Sequence, residues 1–281
     1  MGRRKLAVLL AVAAVVLSAC GKMDDSQIMR LALPQAASDR GDAVWNLWLG
    51  TWIAVLAIFL LVFGLILYAA IRYRRRSDDE IPTQVRYNLP IEALYTIAPI
   101  VIVAVFFFHT VTAQNEITAD VENPDHTIQV VGSKWQWTFN YLEPEATNGE
   151  AVFDFGDTEN LPELTLPVGE SVRFELRSPD VIHSFWIPEF YFKMDVVPGE
   201  GPQKNRFDMT PTREGTFTGR CAELCGLYHS RMIFRVNVVS PEEYQAHLRD
   251  LQARGQTGSP AGMVSADTVA GLGDSESGVE D

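Results

Sequence analysis

Cysteine is scarce in this sequence: among 281 residues there are three, Cys20, Cys221 and Cys225. Three thiols cannot build a disulfide framework, and none of them needs a structural partner. No C-x-x-C-H run occurs, which removes the usual means of attaching a haem covalently. Positive charge is in deficit too, with 23 Lys and Arg against 36 Asp and Glu, a formal net charge of −13. A chain so acidic lacks the basic face that nucleic acid requires. The excess is concentrated, because residues 112–244 hold 22 acidic and 10 basic side chains, a net of −12. A soluble acidic surface accounts for that; so does a field that draws in a basic protein partner. Residues 248–281 lack aromatics and are rich in Gly, Ser, Ala and acidic side chains, the composition of a disordered acidic tail. No internal repeat is present.

Charge is also missing from two long runs. Between Ala43 and Ile71 there is none, a stretch long enough to cross a bilayer with some tilt. Trp45, Trp48 and Trp52 crowd its first end, where indole rings favour the membrane interface, and Arg72-Tyr73-Arg74-Arg75-Arg76 follows its second. The arginines place that end in the cytoplasm. A second apolar run, Pro90 to about Thr112, is interrupted only by Glu92. The reading is therefore transmembrane helices at 44–71 and 91–112, joined by a cytoplasmic loop at 72–90, with an outer segment at 20–43. Glu92 is either a membrane carboxylate with a function or a helix-end residue reaching the interface.

Ahead of these, Arg3, Arg4 and Lys5 precede an apolar run, Leu6 to Leu17, too short to span. Residues 1–19 are expected to be a lipoprotein-type signal peptide, since Leu17-Ser18-Ala19-Cys20 resembles a lipobox in which Cys20 is lipidated. An ordinary signal with small residues near its cleavage point is the alternative. Both put the mature N-terminus outside.

After residue 113 the period changes to two. Trp135, Trp137, Phe139 and Tyr141 alternate with polar neighbours, as do Val172, Phe174 and Leu176, while Pro and Gly mark turns. Short strands with such punctuation predict an extracytoplasmic β-sandwich over 113–247. Acidic residues 143–162 read as a long loop or insertion.

The strongest chemical signal is Cys221-Ala-Glu223-Leu-Cys225-Gly-Leu-Tyr-His229-Ser-Arg-Met232. Two thiols, an imidazole and a thioether fall within twelve residues, all good copper ligands. A mononuclear blue-copper loop uses one Cys; the second is one thiolate too many for it. Two thiolates can bridge two coppers, and such a core needs one more imidazole, for which His183 beside a β-run is the natural supplier. A Cys221–Cys225 disulfide and a zinc site are the alternatives, although zinc rarely recruits Met. His109, His126 and His247 read as structural or solvent-exposed.

This loop resembles the C-x-E-x-C-G-x-x-H-x-x-M pattern of subunit II of cytochrome c oxidase, the subunit bearing the CuA centre, at every fixed position. The likeness extends to the two-helix hairpin, to Trp135-Gln-Trp137, to Asp180-Val-Ile-His183-Ser184, and to Phe192-Lys193-Met194-Asp195-Val196-Val197-Pro198-Gly199. It implies an all-β cupredoxin-like Greek-key β-sandwich tethered by the transmembrane hairpin. It also implies that Cys221 and Cys225 bridge both coppers. One copper adds His183 and Met232; the other adds His229 and the Glu223 carbonyl. The Glu223 carboxylate is expected to help hold Mg²⁺ or Mn²⁺ against subunit I, a hard cation suited to oxygen ligands. Trp135 is expected to receive electrons from cytochrome c. Glu92, with Thr96 and Pro99, matches a motif whose Glu stands at a proton-channel mouth of subunit I, although Tyr95 replaces the usual Trp. The implied partners are subunit I, other oxidase subunits, a soluble or membrane-held cytochrome c, and membrane lipid. Glu200 after Pro198-Gly199 and the long 143–162 region depart from the family's docking face. Oxygen chemistry belongs to another subunit.

Three rivals share parts of the pattern. A quinol oxidase subunit II keeps the fold but lacks copper ligands, and all six positions are filled here. A nitrous oxide reductase needs a large further catalytic domain. A copper carrier needs an open, exchangeable site and no hairpin.

Overall fold

Among the described residues two helices precede every strand, as the uncharged runs require. The computed structural model describes residues 28–260, except 78, 80, 83, 143–145, 157, 158 and 200–203. The expected signal peptide, the lipobox at Cys20 and the last part of the acidic tail lie outside the described residues. Residues 1–35 form a unit of their own, whose described part is a turn closed by Leu31 N–H donating to the Ile28 carbonyl.

Helix α1 spans Gly41–Arg72 and α2 spans Leu89–Ile117. At 1.5 Å per residue they are about 48 and 44 Å long, more than a ~30 Å hydrocarbon layer. Their apolar side chains are mostly exposed in the isolated chain, Leu60, Phe63, Ile100 and Phe107 among them, as a lipid or subunit-facing surface demands. Both helices outrun the expected spans. The hydrophobic run of α2 stops near 112, but Gln114, Asn115 and Glu116 contain no helix breaker, and the helix continues to Ile117.

The sandwich follows. Its strands are β1 (His126–Ser133), β2 (Gln136–Tyr141), β3 (Val152–Gly156), β4 (Glu163–Pro167), β5 (Val172–Arg177), β6 (His183–Ile187), β7 (Phe192–Val196), β8 (Arg206–Met209), β9 (Gly215–Cys221) and β10 (Ile233–Val239). One sheet runs β3–β2–β1–β5–β8 and the other β4–β10–β9–β6–β7. The β1–β5 and β10–β4 pairs are parallel and the remaining pairs antiparallel. Between the sheets lie Trp137, Phe139, Phe174, Phe185 and Phe234, with edge-to-face contacts such as Trp137–Phe234 at 5.4 Å between centroids. Gly219 is required there, because a Cβ on it would stand 2.0 Å from the Phe234 ring.

Two expectations are corrected. The region read as a loop at 143–162 contains β3, in which Val152 is buried and Asp154 pairs with Phe139. The acidic composition of the surrounding stretch concealed this short strand. The tail expected from residue 248 instead begins inside helix α3, Pro241–Ala253. Tyr244, Leu248 and Leu251 recur at helical spacing and are fully buried against the sandwich. A capping box starts α3: Ser240 Oγ accepts from Glu243 N–H, and the Glu243 carboxylate accepts from Ser240 N–H. Beyond it, Phe153 N–H donates to the Gln256 carbonyl and Gly258 N–H to that of Ala151, so the chain covers the free edge of β3.

Candidate metal centre

Cys221 ends β9, and the chain then turns through Gly226 and a 3-10 turn at His229–Arg231 before β10 begins at Ile233. The antiparallel β9–β10 pair thus fixes both ends of the ligand loop, with Cys221 N–H donating to the Met232 carbonyl at 2.9 Å. Neighbouring β6 brings His183 alongside: Phe185 pairs with Cys221, and Ala222 N–H donates to the Ser184 carbonyl. His183, Met232, Cys225 and Cys221 are 0, 1, 4 and 5% exposed. His229 is half-buried.

The donor atoms are spaced as metal ligands. Cys221 Sγ and Cys225 Sγ are 3.8 Å apart, so both thiols are free and no disulfide joins them. A tetrahedral ion with bonds of about 2.3 Å to sulfur sets two such ligands about 3.8 Å apart. Each sulfur stands between donors from two sides. Cys221 Sγ has His183 Nδ1 at 3.9 Å and the Glu223 carbonyl at 3.2 Å. Cys225 Sγ has Met232 Sδ at 3.8 Å and His229 Nδ1 at 3.7 Å. Six donors exceed what one tetrahedral zinc takes, and a thioether among them favours a softer metal. The residues fit copper.

Electrostatics orient the set. Asp180 Oδ1 accepts from His183 Nε2 at 2.9 Å, which leaves Nδ1 free to face the sulfurs. Burial alone would raise the Asp180 carboxyl, but bonds from His183, Lys134 N–H and Val181 N–H hold it below its ordinary range. Burial would likewise lower His183; Asp180 and Cys221 hold it above the usual imidazole value. The contact between the two thiols draws Cys221 far below its ordinary range and pushes Cys225 up. The cluster readily holds negative charge.

Trp135, half-buried, lies directly against the loop. Its ring meets Tyr228 edge-on at 5.0 Å, and a Cβ on Gly226, whose φ is +122°, would come within 3.1 Å of Trp135 Cζ2. Glycine at 226 thus permits both the turn and the close approach of the indole. Trp137, fully buried, donates from Nε1 to the Met232 carbonyl at 3.4 Å. Glu223 is exposed. Glu92 belongs to a different part of the chain, the first turn of α2, where its carboxylate accepts from Asn88 N–H at 2.8 Å. His126 pairs with Glu170 at 2.6 Å, His247 rests against the Tyr141 ring, and His109 is exposed on α2. None of the three approaches the cluster.

The sequence reading overlooked Asp180, Gly226 and Tyr228 as working parts. Asp180 was detectable in principle, because a carboxylate three residues before a ligand histidine can reach its far nitrogen.

Comparison with known proteins agrees with this construction. Residues 26–111 match the transmembrane domain and residues 126–239 the periplasmic domain of the family Cytochrome C oxidase subunit II. A probable cytochrome c oxidase subunit 2 of Streptomyces avermitilis is 44% identical, over 93% of this chain and 92% of that protein. Cytochrome c oxidase subunit 2 of Mycobacterium bovis is 31% identical, over 87% of this chain and 80% of its own length. A solved periplasmic domain of subunit II of the cytochrome oxidase of Bradyrhizobium japonicum is 27% identical over 48% of this chain and 99% of that one, with a TM-score of 0.41. With both domains matched in order and identity sustained along nearly the whole length of a relative, this chain belongs to the cytochrome c oxidase subunit II family.

Proposed function

We propose that this oxidase subunit accepts electrons from cytochrome c at a binuclear copper centre of CuA type and passes them to subunit I, where oxygen is reduced to water and protons are pumped. The observation that carries this reading is the placement of each buried sulfur between donors from both sides of the cluster. Cys221, Cys225, His183, Met232, His229 and the Glu223 carbonyl would hold the copper, with both thiolates shared within the cluster. Bound copper supplies a one-electron couple shared over two ions.

The chain's own residues do the rest. Asp180 fixes the His183 ring, Trp137 holds Met232 from beneath, and burial of both thiols excludes water and leaves no position for a substrate. Trp135, seated on the loop and half-exposed, is where electrons arrive from the donor. The exposed Glu223 carboxylate offers oxygen to Mg²⁺ or Mn²⁺ at the contact with subunit I. Glu92 stands at the cytoplasmic end of α2, where it can take protons from water toward a channel of subunit I. A signal peptide, cleaved before a lipidated Cys20, completes the topology, with the sandwich outside and Arg72 to Arg76 inside.

Electron paramagnetic resonance of the purified oxidase tests the centre. A hyperfine pattern from one electron shared by two coppers is expected, and Cys221→Ser should abolish it. Survival of that pattern with full activity in Cys221→Ser would refute the binuclear assignment.

A further inference from the structure

Both outer ends of the membrane hairpin meet one strand of the sandwich. Before α1, residues 36–40 run alongside the chain that leaves β8: Asp39 N–H donates to the Thr210 carbonyl, Thr212 N–H to the Ala37 carbonyl, and Ser38 bridges Pro211. Ser38 Oγ and Ala37 N–H also donate to the Phe190 and Glu189 carbonyls. After α2, Val121 N–H donates to Asp208 Oδ2 at 2.6 Å, and Arg173 Nη2 donates to the Val121 carbonyl at 2.7 Å.

Arg40 joins these two attachments. Its Nη1 donates to the Glu116 carbonyl at 2.8 Å, and its Nη2 to the Ala119 carbonyl at 3.4 Å and to the backbone carbonyl of Asp208. Its Nε faces Asp39 Oδ1 at 3.5 Å. Glu116 lies in the last turn of α2 and Ala119 just past its cap, at the carbonyl end of the helix, where a cation is favoured. That last turn carries no basic residue of its own, so Arg40 supplies the charge from the start of α1. Arg40 is 8% exposed, and Asp208 beside it is 2% exposed with its carboxylate gripped by Arg173 at 2.7 and 2.8 Å. One side chain therefore contacts the first helix's start, the second helix's end and the copper-bearing domain.

We infer that Arg40 is a positioning residue for onward electron transfer: it locks the hairpin and the sandwich into one body, so that seating the hairpin in the membrane fixes the height and tilt of the metal centre. This rests on the function proposed above. Transfer from the centre to the next acceptor depends steeply on distance, whereas a donor that docks on the sandwich follows the sandwich wherever it leans. The two steps should therefore respond differently when the joint loosens.

Arg40→Ala removes donors from three carbonyls but leaves the buried Asp208–Arg173 pair intact, so no uncompensated charge remains inside. In the intact oxidase carrying Arg40→Ala, hydrogen exchange should quicken at least tenfold in peptides covering 36–41 and 117–123, with β1 and β10 within twofold of wild type. The copper spectrum and the rate of copper reduction by cytochrome c should stay within twofold. Electron passage from copper to haem should slow at least threefold. Arg40→Lys, which keeps the charge but not the fork, should fall between. Unchanged exchange at the joint would overturn the inference, as would faster exchange with unaltered passage to haem. Loss of copper, or an equal fall in both rates, would also overturn it, because Arg40 would then support the domain's fold rather than its position. A wild-type complex lacking the shared-electron signal would instead sink the copper reading.

Discussion

Met232 and Glu92 show how residues of one chain carry separable tasks. Met232 Sδ lies 3.8 Å from Cys225 Sγ, where under the proposed reading it would be a weak soft ligand that tunes more than it holds. Met232→Leu keeps the volume and both thiolates, so the shared-electron signal should persist with a shifted potential, and electron acceptance should slow roughly tenfold. A redox titration with stopped-flow reduction checks this; an unshifted potential would remove Met232 from the ligand set. Glu92 accepts from Asn88 N–H and thereby helps cap α2. Glutamine can make that same bond through its amide oxygen but cannot carry a proton. Glu92→Gln should therefore leave helix and copper intact while slowing turnover by roughly tenfold or more, and Glu92→Asp should recover part of the rate. Wild-type oxygen consumption in Glu92→Gln would reduce Glu92 to its cap. The ligands were legible in the sequence because a loop between two strands keeps donors close along the chain. Arg40 was not, since its partners are set by how strands and helices meet.

At the scale of elements, the membrane helices could be read from their uncharged length and the alternating strands from their period of two, whereas β3 and α3 were missed. β3 is five residues with one acid, Asp154, inside a stretch that is acidic overall, and α3 is a short helix that opens on two acids, so composition outweighed the local pattern. Asp154 on β3 shows the cost of that arrangement. Burial pushes its carboxyl up to about 6, against a bond from Glu163 N–H that lowers it. A raised carboxyl binds its proton more tightly in the fold than in the unfolded chain. The stability this gives is full below the unfolded value near 3.8 and is lost as pH rises through about 6. Above that, the ionised strand is strained by its burial. Asp154→Asn keeps an oxygen for Glu163 N–H and should stabilise the protein by about 1–2 kcal/mol at pH 8, less than the full shift because water reaches this edge strand. The gain should vanish near pH 4. Urea unfolding at the two pH values checks the sign, and an equal effect at both would rule out ionisation as its cause.

Across the whole molecule, charge is sorted by compartment. Arginines gather where the chain meets the cytoplasm, and the outer residues 112–244 carry a net of −12. Trp135 stands half-exposed against the ligand loop within that acidic domain, so under the proposed function a basic donor approaching the domain would be attracted toward the place where its electron is taken. Steering and transfer rest on different groups, and they should separate under salt. As ionic strength rises from ~0.1 to ~1 M the screening length shrinks from about 10 Å to about 3 Å, and the association rate with a basic cytochrome c should fall at least about tenfold. Trp135→Ala should leave that salt dependence unchanged, because it removes no charge. It should nevertheless slow reduction of the copper centre from the bound complex, with the copper spectrum intact because Trp135 touches the loop and not the ligands. Stopped-flow reduction at several salt concentrations yields both quantities for wild type and variant. A salt-independent association rate would remove the steering field. A normal first-order transfer rate in Trp135→Ala would move the point of electron uptake elsewhere on the domain.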